Sequence, residues 1–271
     1  MALSEAVASK ALLALRVSRL QELERRYLKD IRGVFTSQER LFVKKLRSLP
    51  QVQSEGYQVN VRELVLPPWW HEAWLAVEAS TSINWKGVLE KLQAPALLAG
   101  ANDSLLLLKQ IDLSFAVQDP RVVDYLRTHS ATRISGINET TSEAVRKIIE
   151  EGQEQGWSYE TLAATLHDKF EQFREGSPQA HVRNRAELIA LTEVGDAYGE
   201  GTMLAARDLA SAGLKMKKSW LTVGDERVSD GCQRNAQEGK IPLEQAFSSG
   251  HMRPLRFPGC RCALQTHVDA S

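Results

Sequence analysis

Three thiols, a histidine and a short acid–acid–base run lie in the last quarter of this 271-residue chain. Cys232, Cys260 and Cys262 are its only cysteines, and they fall within about thirty positions of one another. His251 is the nearest histidine before the closing pair. Thiolate and imidazole are the usual ligands of a structural zinc, which takes four in a tetrahedron. Cys232, His251, Cys260 and Cys262 would complete that number. One residue separates Cys260 from Cys262, a tighter step than the usual spacer, so two other readings stay open. The thiols are reduced and packed in a small core, or Cys232 forms a disulfide with one of the closing pair, which requires a Cα separation of about 4.4–6.8 Å. Asp225, Glu226 and Arg227 follow Gly224 and suit a chain reversal. Glu193, further upstream, is placed to form an ion pair with Arg227 that joins a helix to this turn. No Walker loop, Gly-x-Gly-x-x-Gly or His-Glu-x-x-His occurs.

The elements that must carry these residues are mostly helical. Residues 4–48 keep an apolar stripe at Leu13, Val17, Leu20, Tyr27, Ile31 and Val34. A break is expected where Thr36 and Glu39 make a capping box. A stop is expected before Pro50. Residues 50–68 read as loop with a short extended piece at 61–66, and Pro68 suits a first helical turn. Four of six tryptophans follow, at Trp69, Trp70, Trp74 and Trp85. They are either core or a face for a partner subunit, with Trp69, Trp70 and Trp74 as its contacts. Helix then continues over 86–112. A new region opens at Asp119 and Pro120. Thr140 to Glu143 forms a capping box before a helix that Gly152 should stop. The next helix opens at 156–158 and buries Leu162, Leu166, Phe170 and Phe173. A third runs over 184–210. Its Gly195, Gly199 and Gly201 are costly there and mark a close backbone approach. After Gly213 the period changes to two. Lys217 to Val223 and Arg261 to Val268 should pair antiparallel, setting Cys260 and Cys262 beside the turn at Gly224 and Asp225.

The fold class expected is therefore α+β, mainly α. Long N-terminal helices, 1–120, precede a helical domain, 121–271, that closes with a small antiparallel hairpin layer. The net charge is zero, which gives no whole-chain reason to expect nucleic acid. The first fifty residues are an exception, with eleven Lys or Arg against five Asp or Glu. Arg25 and Arg26 are the centre of that basic excess. No signal peptide and no stretch of about 20 apolar residues is found, so no membrane role is expected and folding in a cytoplasm is. There clustered cysteines tend to be reduced or metal-bound.

Residues 130–265 resemble the Mu F-like phage head morphogenesis proteins, the minor head proteins of tailed phages. The likeness lies in an ordered set of pieces. Ile134, Ile137, Thr140 and Thr141 come first, then Gly156 to Ser158, then Ala190 to Glu193. Trp220 and the Asp225 to Arg227 turn follow, and the set closes at Phe257 to Cys262. Three positions depart from the family's pattern. Ser229 stands where a Cys is common, Phe257 where a His is, and Leu191 where an Arg is. Two metal ligands of the family are thus missing. The resemblance implies a minor head protein of the virion, at the portal vertex or capsid interior, assembled in the host cytoplasm. Its partners would be the portal and major capsid proteins, with double-stranded DNA as a further one through the basic first helix. It implies binding, not catalysis. An alternative is an ADP-ribosyltransferase-like effector using Ser80, Thr81 and Ser82 with Glu193. Another is a zinc-stabilised interaction module.

Overall fold

The computed structural model describes residues 5–47, 69–108, 119–155, 157, 159–176 and 184–269. Among them run α1 (Glu5–Arg47), α2 (Trp69–Leu108), α3 (Pro120–Gln155), α4 (Tyr159–Glu175), α5 (Arg185–Ser211), β1 (Met216–Leu221), α6 (Asp230–Gln237), β2 (Ile241–Pro242) and β3 (Ala263–Val268). This is the mainly helical α+β class expected. The extended piece at 61–66, Pro50, Pro68, Gly156, Ser158 and most of the 174–182 loop lie outside the described residues.

Two expected breaks are absent, for one reason. α1 runs unbroken for 43 residues through Thr36 to Glu39. Thr36 and Ser37 donate back to the carbonyls of Arg32 and Gly33, at 3.1 and 3.0 Å. α3 likewise runs through Thr140 to Glu143, where Thr140 and Thr141 donate to Gly136 and Ile137, each at 2.8 Å. A hydroxyl bonded four residues back serves its own helix and cannot cap a new one. Gly152 sits inside α3, and its carbonyl accepts the Trp157 N–H at 2.9 Å just past the helix end. The start of α3 is as expected: the Asp119 carboxylate accepts the Arg121 backbone N–H at 2.9 Å.

The chain folds as two compact units, and each draws on both sides of residue 120. One comprises Met1–Tyr27, Glu90–Leu126 and Glu187–Ser271, the other Leu28–Leu89 and Arg127–Ala186. The second has an aromatic core. Phe35 meets Trp85 edge-on at 5.3 Å and Phe173 at 5.5 Å. Phe42 meets Trp74 at 5.9 Å, and Phe170 meets Phe173 at 5.4 Å. Trp70, Trp74 and Trp85 are buried, so these rings fill the core and are not presented on this unit's surface. Burying such rings is the largest apolar gain available to a helix bundle. The side chain of Trp69 lies outside the described residues. Arg185 is a half-buried cation of this unit, stacked 4.6 Å over Phe173 and donating to the Ile137 carbonyl at 3.0 Å. Burial pushes its pKa down to about 10.

The first unit is held differently. α5 crosses the second half of α2 at glycines. A Cβ on Gly201 would fall 1.8 Å from the Leu97 carbonyl oxygen, and one on Gly100 would fall 2.0 Å from that of Tyr198. Only a hydrogen fits there, which explains glycine inside a helix that would otherwise favour alanine. Gly199 faces the Pro254 carbonyl in the same way, at 3.0 Å. The sheet has strand order β2-β1-β3. β1 and β3 pair antiparallel from Met216 opposite Val268 to Leu221 opposite Ala263. The expected pairing holds, and it fixes the position of the thiols that precede β3.

Candidate metal centre

The first thiol is positioned by a helix start. Ser229 caps α6, its hydroxyl accepting the Cys232 N–H at 3.4 Å. Cys260 and Cys262 reach the same point from the chain that leads into β3. Thr192 of α5 holds that chain: its hydroxyl accepts the Gly259 N–H at 3.0 Å while donating to the Leu188 carbonyl at 2.6 Å. Arg261 extends from between the two thiols and pairs with Asp225 at 2.6 Å. The turn and the closing segment are thereby tied, as the strand pairing implied.

All three thiols are free and buried. Their sulfurs lie within 4.8 Å of one another, and Cys232 Sγ is 3.8 Å from Cys260 Sγ. Four sulfurs at a Zn–S distance of about 2.3 Å lie about 3.8 Å apart along each tetrahedral edge. The observed pair has that separation. The site also favours negative charge. The Cys260 thiol is pulled below the usual thiol range, first by the hydrogen bond from Cys262 and then by the backbone N–H groups of Arg256 and Cys262, against burial. Cys262, the donor in that bond, is pushed up correspondingly. Trp220 Nε1 is buried without a hydrogen-bond partner, and its N–H favours a thiolate on Cys262. An indole N–H left unpaired beside a sulfur costs less when that sulfur is anionic. Buried Arg16, from α1, adds a guanidinium that interacts with both Cys260 and Cys262 and donates to the Arg261 carbonyl at 2.8 Å. The donor set therefore fits a soft, thiolate-binding metal on three corners. It would hold the closing segment to α6, with no role for the ion beyond that brace.

His251 is not one of the clustered groups. Its Nδ1 lies 3.0 Å from both the hydroxyl and the carbonyl of Ser249. Glu193 and Arg227 are not brought together either. Glu193 is buried and accepts from Gln93 Nε2 at 2.8 Å, whereas Arg227 is exposed and its backbone N–H donates to Asp225 at 3.2 Å. Arg261 supplies the cation for Asp225. Ser80, Thr81 and Ser82 donate to the carbonyls of Ala76, Val77 and Glu78, at 2.7, 2.8 and 2.6 Å, so their hydroxyls are engaged along α2. Arg25 and Arg26 are exposed on α1.

Sequence reasoning missed Arg16, Glu24 and Arg261. With Leu191 and Cys260 they border a cavity of about 130 Å³. Burial raises Glu24 to about 7 there. Arg253 forms a second polar knot, pairing with Asp196 at 2.6 Å and Glu200 at 2.9 Å, while Tyr125 donates to Asp196 at 3.2 Å. Arg16 gave no local signal, because the Arg261 carbonyl it serves is 245 residues away. Arg261 could have been noticed from its position between two thiols.

Residues 143–265 match the family model described as Phage Mu protein F like protein. The chain carries a Mu F-like region. It holds the end of α3, then α4, α5, β1, α6, β2 and the first half of β3, together with all three thiols, Thr192 and Trp220. Ile134 to Thr141, part of the likeness seen in the sequence, fall before the matched residues. The match is a likeness of this part of the chain to a family of phage head proteins. Leu191, where an Arg is usual in the Mu F-like pattern, borders the same cavity as Arg16, so α1 brings a guanidinium to that neighbourhood. No curated protein and no solved structure matches the chain. No helix among the described residues is long and apolar enough to cross a membrane.

Proposed function

We propose that this protein is a minor head protein that binds the portal and the major capsid protein during head assembly. It then stays in the virion, at the portal vertex or the capsid interior, having joined it in the host cytoplasm. The observation that carries this reading is the Mu F-like match over 143–265. The arrangement of the first unit supports binding over turnover. Several of its buried charged groups are engaged in ion pairs that brace the fold, with Arg253, Asp196, Glu200 and Tyr125 as the clearest case. In this reading the unit that contains the thiols is the folded anchor, and the exposed face of α1 carries contacts to partners. Arg25 and Arg26, exposed on α1, would meet DNA phosphates or an acidic portal face.

Cys232, Cys260 and Cys262 would hold a zinc ion that braces this anchor, the separation of the first two being the support for it. Co-expression with the portal and major capsid proteins, followed by purification of portal rings and mass analysis, tests the function. The chain should be recovered on the rings. Rings free of it, and capsid protein free of it, would end the reading. For DNA, duplex binding should weaken steeply as salt rises, because phosphate contacts release counterions. A flat salt response would remove that partner.

A further inference from the structure

The second unit holds an open concavity of about 520 Å³ whose lining carries Arg40, Lys44, Arg174 and His167 on a largely apolar surface. Arg40, Val43 and Lys44 come from α1, and His167 and Arg174 from α4. Glu39 is the one carboxylate among these lining residues, and it is already engaged. Its two oxygens take Arg174 Nη1 and His167 Nδ1, each at 2.6 Å. Glu171 also neighbours both cations, at 3.5 Å from each, without lining the cavity. The carboxylate of Glu39 thereby fixes two donors from α4 against the face of α1.

Arg40 and Lys44 are exposed, and among the described residues neither head group makes an ion pair or a hydrogen bond. They stand four residues apart on one helix, where like charges repel each other. A concavity that keeps two unpaired cations one turn apart, beside two oriented ones, is complementary to a multiply charged anion. Arginine and lysine supply the fork and the point charge that phosphate oxygens accept. The volume falls within the roughly 300–1,000 Å³ of sites for small ligands, not of a surface for a duplex. Val43 gives an apolar wall for the uncharged part of such a molecule.

We propose that this cavity binds a compact phosphate-bearing ligand of nucleotide size, with Arg40 and Lys44 on the phosphate and Glu39 positioning His167 and Arg174. The site is separate from Arg25, Arg26 and the thiol cluster, and it does not rest on the head-protein reading. A failure here leaves that reading intact.

The test is calorimetric titration of the full chain at low ionic strength with inorganic pyrophosphate and, separately, with ADP and a short DNA duplex. Pyrophosphate should bind saturably and more weakly as salt rises. Arg40→Gln and Lys44→Gln should each weaken it about tenfold, the scale of one hydrogen bond to a charged group. Lys44→Arg should retain binding. Arg25→Gln with Arg26→Gln should leave it unchanged. Tighter binding of ADP than of pyrophosphate would show that Val43 and its surroundings hold a nucleoside. No saturable binding, binding indifferent to Arg40→Gln and Lys44→Gln, or binding of the duplex alone would overturn the proposal.

Discussion

The two units of this protein are stabilised by opposite means. The second buries rings: Phe35, Phe42, Trp74, Trp85, Phe170 and Phe173 account for its core, and its charged pairs are largely at the surface. The first buries charge and backbone. Arg16, Asp103, Glu193, Asp196 and Lys218 are all within it and almost fully covered. Tyr198 and Arg19 converge on Asp103, at 3.1 and 3.0 Å, and Lys218 donates to the Met252 carbonyl at 2.7 Å. Two helices there touch through glycine. An aromatic core is tolerant of position and gains from area. A core of paired charges and glycine contacts depends on geometry, because a buried group that loses its partner keeps its desolvation cost. The geometry-dependent unit is also the one that contains the three thiols.

The contrast can be broken by substitution. Trp85→Ala should cost the aromatic core about 3–5 kcal/mol, as removal of a buried large ring does. It should leave the Trp220 environment of the first unit unchanged, which near-ultraviolet circular dichroism during denaturant unfolding would show. Gly201→Ala adds one methyl yet should cost the first unit about 3 kcal/mol, at the top of the overpacking range, because its Cβ meets backbone and not a side chain that can turn away. A loss under about 1 kcal/mol would mean that α2 and α5 can slide apart, and the account of those glycines would fail.

Metal sharpens the same comparison. Zinc at a hundredfold excess over its dissociation constant should add about 3 kcal/mol to the stability of the first unit. Cys260→Ser should remove that gain, and the aromatic unit should not respond. Equal denaturant midpoints with zinc and with chelator would favour simple packing of the thiols.

Protons act on the two units unequally. Glu24 has its pKa raised by burial from 4.5 to about 7. Its contribution to stability is therefore full below about pH 4.5 and is lost as pH rises through 7. Glu24→Gln should stabilise the chain at pH 8 by about 2 kcal/mol and have no such effect at pH 4. In the second unit His167 is raised by its hydrogen bond to Glu39. That contribution is present below pH 6.5 and lost as pH rises through the raised value. His167 is more than half exposed, so His167→Gln should cost only about 0.3 kcal/mol at pH 5.5.

What was legible in the sequence follows the same division. The apolar stripe of α1 held at Leu20, Ile31 and Val34, whereas Val17 is exposed and Leu12 and Arg16 take the buried face. That of α4 stood out, because periodicity is a local property. So did the β1–β3 pairing and the close approach at Gly201. The misplaced breaks at Thr36 and Thr140 came from treating hydroxyls as caps when they were bonded within a continuing helix. The first unit's buried ion pairs were not legible, since Arg16 and Arg253 look like any surface arginine until distant chain returns to them. Of the foreseen site, the three thiols came together, while His251, Glu193 and Arg227 found other neighbours. The family pattern emphasised the thiols and the turn, and it could not show that Arg261 would serve Asp225.

The Mu F-like assignment is tested most directly by assembling heads from the portal, the major capsid protein and this chain, then purifying them for quantitative mass analysis. The account predicts this chain in the purified heads at a fixed low copy number, retained through salt washing. Heads that assemble fully and contain none of it would contradict the account.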